Sequence, residues 1–87
     1  MLLPQPATGQ GNACFERPAA VKRLAEKFDE HPVWAGLTNR GHMMELFASG
    51  NGTWTLLVSP GNGLTCMVAA GEGWRPIDKP EHESQAL

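Results

Sequence analysis

Apolar residues in the first third of the chain recur with the period of an α-helix. Charged residues of the same stretch fall on the opposite side, as they do in a helix that packs one face on a core. The spacing predicts one amphipathic helix over residues 18–30, with Pro18 in its first turn, where a missing N–H costs nothing. Four residues form its apolar stripe at i, i+3, i+4 and i+7: Val21, Leu24, Ala25 and Phe28.

Beyond Pro32 the pattern changes to short apolar runs that are separated by turn residues. Asn51-Gly52 and Asn62-Gly63 are strong hairpin signals between such runs. Short runs joined by short turns predict an antiparallel meander of three or four strands, and one helix packed on this sheet makes an α+β domain. The runs cover residues 33–38, 42–48, 53–59 and 64–70.

Alternation along each run assigns its side chains to two faces of the sheet. We expect the helix to pack on the face that carries Met44, Leu46, Ala48, Trp54, Leu56, Val58, Leu64, Cys66, Val68 and Ala70. The helix would then leave the other face open. Its apolar residues predict either a second covering layer or a partner-binding patch, formed by Met43, Phe47, Leu57 and Met67.

The chain has room for one domain, because 87 residues cannot build a second core. We expect this domain over residues 13–76. Residues 1–12 are rich in proline, glycine and amides and predict a flexible leader, and residues 77–87 predict a flexible polar tail.

Cys14 and Cys66 are the two cysteines of the chain, and they flank most of the predicted domain. An even, minimal count in a small chain favours a structural disulfide. Because Cys14 precedes the helix and Cys66 is expected to face it, the bond would link helix to sheet. Free buried thiols are the alternative. A catalytic thiol lacks a C-x-x-C or other activating signature, and a metal site lacks ligand spacing.

Charge and hydropathy narrow the classes of partner. The net charge is −2, and the seven Lys and Arg residues form no cluster, so we expect no nucleic-acid binding. No apolar run reaches the length of about 18 residues that a membrane helix needs. The given chain begins without a signal peptide. A disulfide nevertheless predicts an oxidising compartment, and we expect a periplasmic or secreted protein.

The titratable residues do not form a recognisable catalytic set. His42 and Glu45 fall on opposite faces of a predicted strand, while His31 and His82 lie at a helix end and in the tail. No nucleophile elbow and no glycine-rich phosphate loop occurs. We therefore expect a protein that is not an enzyme and that holds no metal or cofactor.

The three tryptophans are the remaining candidates for binding. Trp34, Trp54 and Trp74 could stack on a carbohydrate or contact an apolar partner, and core anchors of a small domain are the competing interpretation. Trp74 follows the last predicted strand and precedes Arg75-Pro76, so we expect it to be partly exposed and add it to the partner-binding residues.

A longer pattern runs through residues 14–74. It consists of Cys14, the helix, Gly36-Leu37, Gly41 with Glu45, Gly52-Thr53-Trp54-Thr55, Gly63 with Cys66, and Gly71 with Trp74. The pattern resembles a group of short uncharacterised proteins, found mainly in proteobacteria and usually made with a signal peptide. The resemblance implies an exported, disulfide-linked domain. It implies no activity and no binding residues.

These observations favour a non-enzymatic, exported binding or accessory protein that acts through an apolar sheet face. Its partner would be another protein or a second copy of the chain. One alternative is a structural component of a larger assembly, such as a virion or an envelope complex. The other is a small inhibitor of a cell-wall hydrolase.

Overall fold

The structure, a computed structural model, describes residues 13–77. Apart from Ile77, the segments that were predicted to be flexible (1–12 and 77–87) lie outside these residues. The described chain contains β1 (Ala13–Glu16), α1 (Arg17–Phe28), β2 (His31–Leu37), β3 (Met43–Ala48), β4 (Trp54–Ser59) and β5 (Leu64–Gly71).

The strands form one antiparallel sheet in the order β1-β5-β4-β3-β2. Strands β2 to β5 make the predicted meander, and the α+β class with one N-terminal helix is confirmed. The sheet has five strands rather than three or four, because β1 was not predicted. This strand has only four residues and none of them is buried. It is therefore too short and too exposed to show the alternation of apolar and polar residues that predicts a strand.

Helix α1 connects the two edges of the sheet. It begins directly after β1, and β2 starts at His31 on the opposite edge. The two edge strands are four strand spacings apart, about 19 Å. A helix of 12 residues is about 18 Å long. The helix therefore has the length needed to cross one face of the sheet, and it contacts β1, β5 and β2.

The helix ends at Phe28, earlier than predicted. Asp29 adopts a left-handed conformation (φ 55°) and its N–H donates to the carbonyl of Ala25, while the N–H of Glu30 donates to the carbonyl of Leu24. The bond from Asp29 to Ala25 is the one expected of an αL C-cap. The chain thus leaves the helix before it reaches Pro32.

The helix covers the sheet face opposite to the predicted one. Ala20 and Leu24 pack on Phe47 and Leu57 and form the core. Phe47 is 0% exposed and Leu57 is 2% exposed. We call this side of the sheet the covered face. The prediction was wrong because alternation shows which residues share a face, and both faces of this sheet are apolar.

An ion pair fixes the start of the helix to the covered face. The Nε of Arg17 donates to Oε1 of Glu45 at 2.9 Å, and Nη2 donates to Oε2. Glu45 is buried on β3. The hydrogen bond to Glu45 raises the pKa of the Arg17 guanidinium above its ordinary value. The backbone N–H of Arg17 also donates to the carbonyl of Gly63, so the first helical residue is held at two points.

Candidate binding surfaces

The sheet face away from α1, which we call the open face, carries two central rows of side chains that cross the strands. Register places the first row as Trp34, Leu46, Leu56 and Ala69. It places the second row as Gly36, Met44, Val58, Cys66 and Cys14. Neither row contains a charged or hydroxyl-bearing side chain, so the centre of the open face is entirely apolar.

Two tryptophans lie against glycines of the open face. A Cβ placed on Gly36 would be 2.9 Å from Cη2 of Trp34, and a Cβ placed on Gly71 would be 2.9 Å from Cζ2 of Trp54. Each indole ring therefore occupies the space that a larger residue would need. The Nε1–H of Trp54 donates to the carbonyl of Glu72 at 3.2 Å. Trp34 is 49% exposed, and its ring extends the apolar surface towards the β2 edge.

The predicted disulfide between Cys14 and Cys66 is confirmed. The two residues are direct neighbours on β1 and β5. Cys66 lies on the open face, because Thr65, which precedes it, is fully buried and bonded to Ser59 on the covered face. The bond therefore joins two strands. The prediction that it links helix to sheet was wrong, since it lacked the strand that contains Cys14.

The residues predicted to bind a partner do not form an exposed patch. Met43, Phe47, Leu57 and Met67 all lie on the covered face, and Phe47 and Leu57 belong to the core. Met43 is half-buried. Trp74 is half-buried as well, and its N–H donates to the carbonyl of Gly52 at 2.8 Å. The uncovered apolar side of the sheet is therefore the open face, and none of the four predicted sheet residues lies on it.

A cavity of about 600 Å³ lies between α1 and the sheet, where β4 begins and β5 ends. Its main apolar lining residues are Phe15, Leu24, Phe28, Leu57, Met67 and Ala70. Three charged residues also line it: Arg23, Glu30 and Glu72. Helix α1 packs on the core through Ala20, Leu24 and the partly buried Val21. Phe28, which was predicted to be a core residue, is 49% exposed instead.

Glu30 is the most unusual residue of this cavity. It is 2% exposed, and its Oε1 has no hydrogen-bond partner among the described residues. Buried carboxylate oxygens are almost always hydrogen-bonded, because leaving one unpaired is costly. Sequence periodicity did not predict this burial. Its helical period ran through Glu30, whereas the chain has already left the helix at Asp29.

The histidines are dispersed. Nε2 of His31 lies 3.2 Å from Oδ1 of Asp29 at the surface, and the backbone N–H of His42 donates to Oγ1 of Thr38. His82 lies outside the described residues. Within residues 13–77, no three His, Cys, Asp or Glu side chains come close enough together to hold a metal ion.

Comparisons with protein-family models, with curated proteins and with solved structures each gave no match. In the part of the chain that the structure describes, no helix has the length and apolar character that crossing a membrane requires. The geometry of the open face and of the cavity is therefore the basis for a functional proposal.

Proposed function

We propose that this chain is a small, exported, non-enzymatic binding protein whose open face packs on the open face of a second copy. The observation that carries the proposal is the uninterrupted apolar centre of that face, across Trp34, Leu46 and Leu56. A sheet buries its apolar faces against another layer. Helix α1 is that layer on one side, and a second sheet would be the layer on the other.

The distribution of polar residues supports this proposal. The covered face includes Glu45, Thr55, Ser59 and Thr65, all of them buried. The central rows of the open face contain no such residues. Apolar surface gains about 25 cal/mol for each Å² removed from water. Covering the open face, which lacks a second layer, would therefore release more free energy than further burial of the covered face.

The size of the open face is sufficient for a dimer. Five strands spaced by about 4.8 Å and about 20 Å long present roughly 500 Å² of sheet. Two copies would bury roughly 1,000 Å², near the lower limit of specific interfaces. Face-to-face packing about 10 Å apart would make a β-sandwich with a helix on each outer side. A two-fold axis makes such a contact self-complementary.

The Cys14–Cys66 disulfide supports export. Disulfides persist in oxidising compartments and are rare in the reducing cytosol. Intact mass measured on protein taken from its native compartment tests this part of the proposal. We expect the mass to rise by that of two hydrogens after reduction. Two free thiols in the native protein would contradict export.

The dimer is tested by light scattering during size-exclusion chromatography, over a range of protein concentrations. We expect the wild-type chain to form a dimer and Leu56→Asp to form a monomer, because a carboxylate would be placed in the centre of an apolar contact. The matched control is Leu37→Asp. Leu37 is 74% exposed and lies on the covered side of the β2 edge, so this variant should remain dimeric.

Two results would contradict the proposal. One is a wild-type chain that stays monomeric at every concentration. The other is a dimer that survives Leu56→Asp. Circular dichroism shows whether Leu56→Asp folds. If it does not, Trp34→Ser is the second variant, since Trp34 is already 49% exposed and its replacement should weaken the dimer without unfolding the chain.

A further inference from the structure

We propose that the cavity between α1 and the ends of β4 and β5 binds an apolar amine: a small molecule with a protonated amino group on a hydrocarbon or aromatic body. This site is separate from the open face, and the inference does not depend on a dimer. Its volume of about 600 Å³ falls within the range of about 300–1,000 Å³ that small-molecule sites occupy.

The apolar part of the ligand is indicated by the walls of the cavity. Phe15, Phe28 and Met67 are large apolar residues that remain 44%, 49% and 37% exposed, and all three line this cavity. They come from β1, α1 and β5 respectively. Exposed apolar side chains that converge from three elements on one cleft are typical of a ligand site.

The amino group is indicated by Glu30. Glu30 lines the cavity, and its Oε1 is buried without a hydrogen-bond partner among the described residues. An ammonium group would donate to this oxygen and would form a charge-assisted hydrogen bond, which is stronger than a neutral one. The ligand would thus satisfy the polar atom that the fold leaves unpaired.

The charges around the cavity favour a cation over an anion. Glu30 and Glu72 carry two negative charges and Arg23 carries one positive charge, so the lining has a net charge of one negative. Phe28 also lines the cavity, and aromatic faces attract cations. A carboxylate ligand of the same shape would instead be repelled by Glu30.

The proposal is tested with octylamine as the probe, which is protonated at pH 7, and with octanoate and octanol as chain-matched comparisons. A nuclear magnetic resonance titration of the full chain reports both the affinity and the residues contacted. We expect shifts at Phe28, Glu30 and Met67, and an affinity for octylamine at least tenfold above that for octanoate. Octanol should fall between them, since it keeps the apolar body and lacks the charge.

Glu30→Gln isolates the charge. We expect it to lower the affinity for octylamine roughly ten- to a hundredfold, which corresponds to the loss of a charged hydrogen bond. The control is Glu26→Gln, which removes the same charge from the exposed side of α1, away from the cavity lining, and should leave the affinity unchanged.

Three results would overturn the proposal: equal affinity for octylamine and octanoate, no change in Glu30→Gln, or shifts that map to the open face. If Glu30→Gln fails to fold, the ligand series on the wild-type chain still decides the charge preference. Phe28→Ala then tests the location, because it shortens a half-exposed wall residue and should weaken octylamine binding.

Discussion

The two faces of this sheet differ both in their side chains and in what covers them. The covered face holds Phe47 and Leu57 under the helix, yet it also buries Glu45 and Thr65. The centre of the open face holds only apolar residues and has no second layer among the described elements. The face with the polar residues is the buried one. Hydrophobicity alone therefore does not determine which face a helix covers.

The two faces differ in the hydrogen-bond partners that they offer to buried polar groups. Arg17 at the first position of α1 pairs with Glu45, and Ser59 donates to Oγ1 of Thr65 at 2.8 Å. A face can bury polar atoms when each has a hydrogen-bond partner. The open face offers no such partners in its central rows, and apolar residues are the ones that suit contact with another apolar surface.

The largest expected change in stability comes from comparing two neighbouring residues that lie on opposite faces of the sheet. Phe47→Ala removes a fully buried ring and should lower the free energy of unfolding by about 3–5 kcal/mol. Leu46→Ala, the adjacent and half-buried residue of the open face, should cost about 1 kcal/mol in the monomer. Urea denaturation at a protein concentration low enough to keep both variants monomeric measures both. Equal losses would show that the open face contributes as much to the fold as the covered one.

The disulfide comes next in expected effect. It closes a segment with a sequence separation of 52 residues, for which chain entropy sets an upper limit of about 4 kcal/mol, and we expect a loss of about 2–4 kcal/mol in the double variant Cys14→Ser with Cys66→Ser. Urea denaturation of this variant, with reduced wild-type protein beside it, provides the measurement. An unchanged midpoint in both would mean that β1 is held to β5 by its hydrogen bonds alone.

The smallest expected effect concerns the tryptophan at the end of the open face. Gly71→Ala would place a Cβ 2.9 Å from the Trp54 ring, so the ring must move and its bond to the Glu72 carbonyl should weaken. We expect a loss of about 1 kcal/mol in thermal denaturation and a shift in tryptophan fluorescence. Gly50→Ala is the control, because nothing lies within 4 Å of the added Cβ there. Equal spectra for the two variants would contradict this packing.

The periodicity of apolar residues predicted the elements that show their pattern within a single segment of the sequence. The helix stripe through Leu24 and the runs that became β3, β4 and β5 follow periods of 3.6 and 2, which a single segment displays without its neighbours. The disulfide also followed from the number of cysteines and the size of the chain. These features depend on residues that are close in sequence or on composition.

The features that sequence did not predict depend on contacts between distant residues. The Arg17–Glu45 pair spans 28 positions, and β1 is recognisable only through its pairing with β5. The burial of Glu30 follows from a left-handed Asp29, a backbone choice that no periodic pattern contains. The candidate sites were missed for the same reason, because each is formed where separate elements meet.

The position of the disulfide has a mechanical consequence. Cys14 is the second residue of β1, and Cys66 lies on the neighbouring antiparallel strand. Tension applied to the two ends of the chain would pass from Cys14 through the sulfur atoms directly to Cys66. The helix and strands β2 to β4 lie between these residues in the sequence, so the disulfide prevents tension from stretching that segment end to end. Pulling would extend the chain outside the two cysteines, and the separation of Cys14 and Cys66 would stay fixed until the covalent bond is broken.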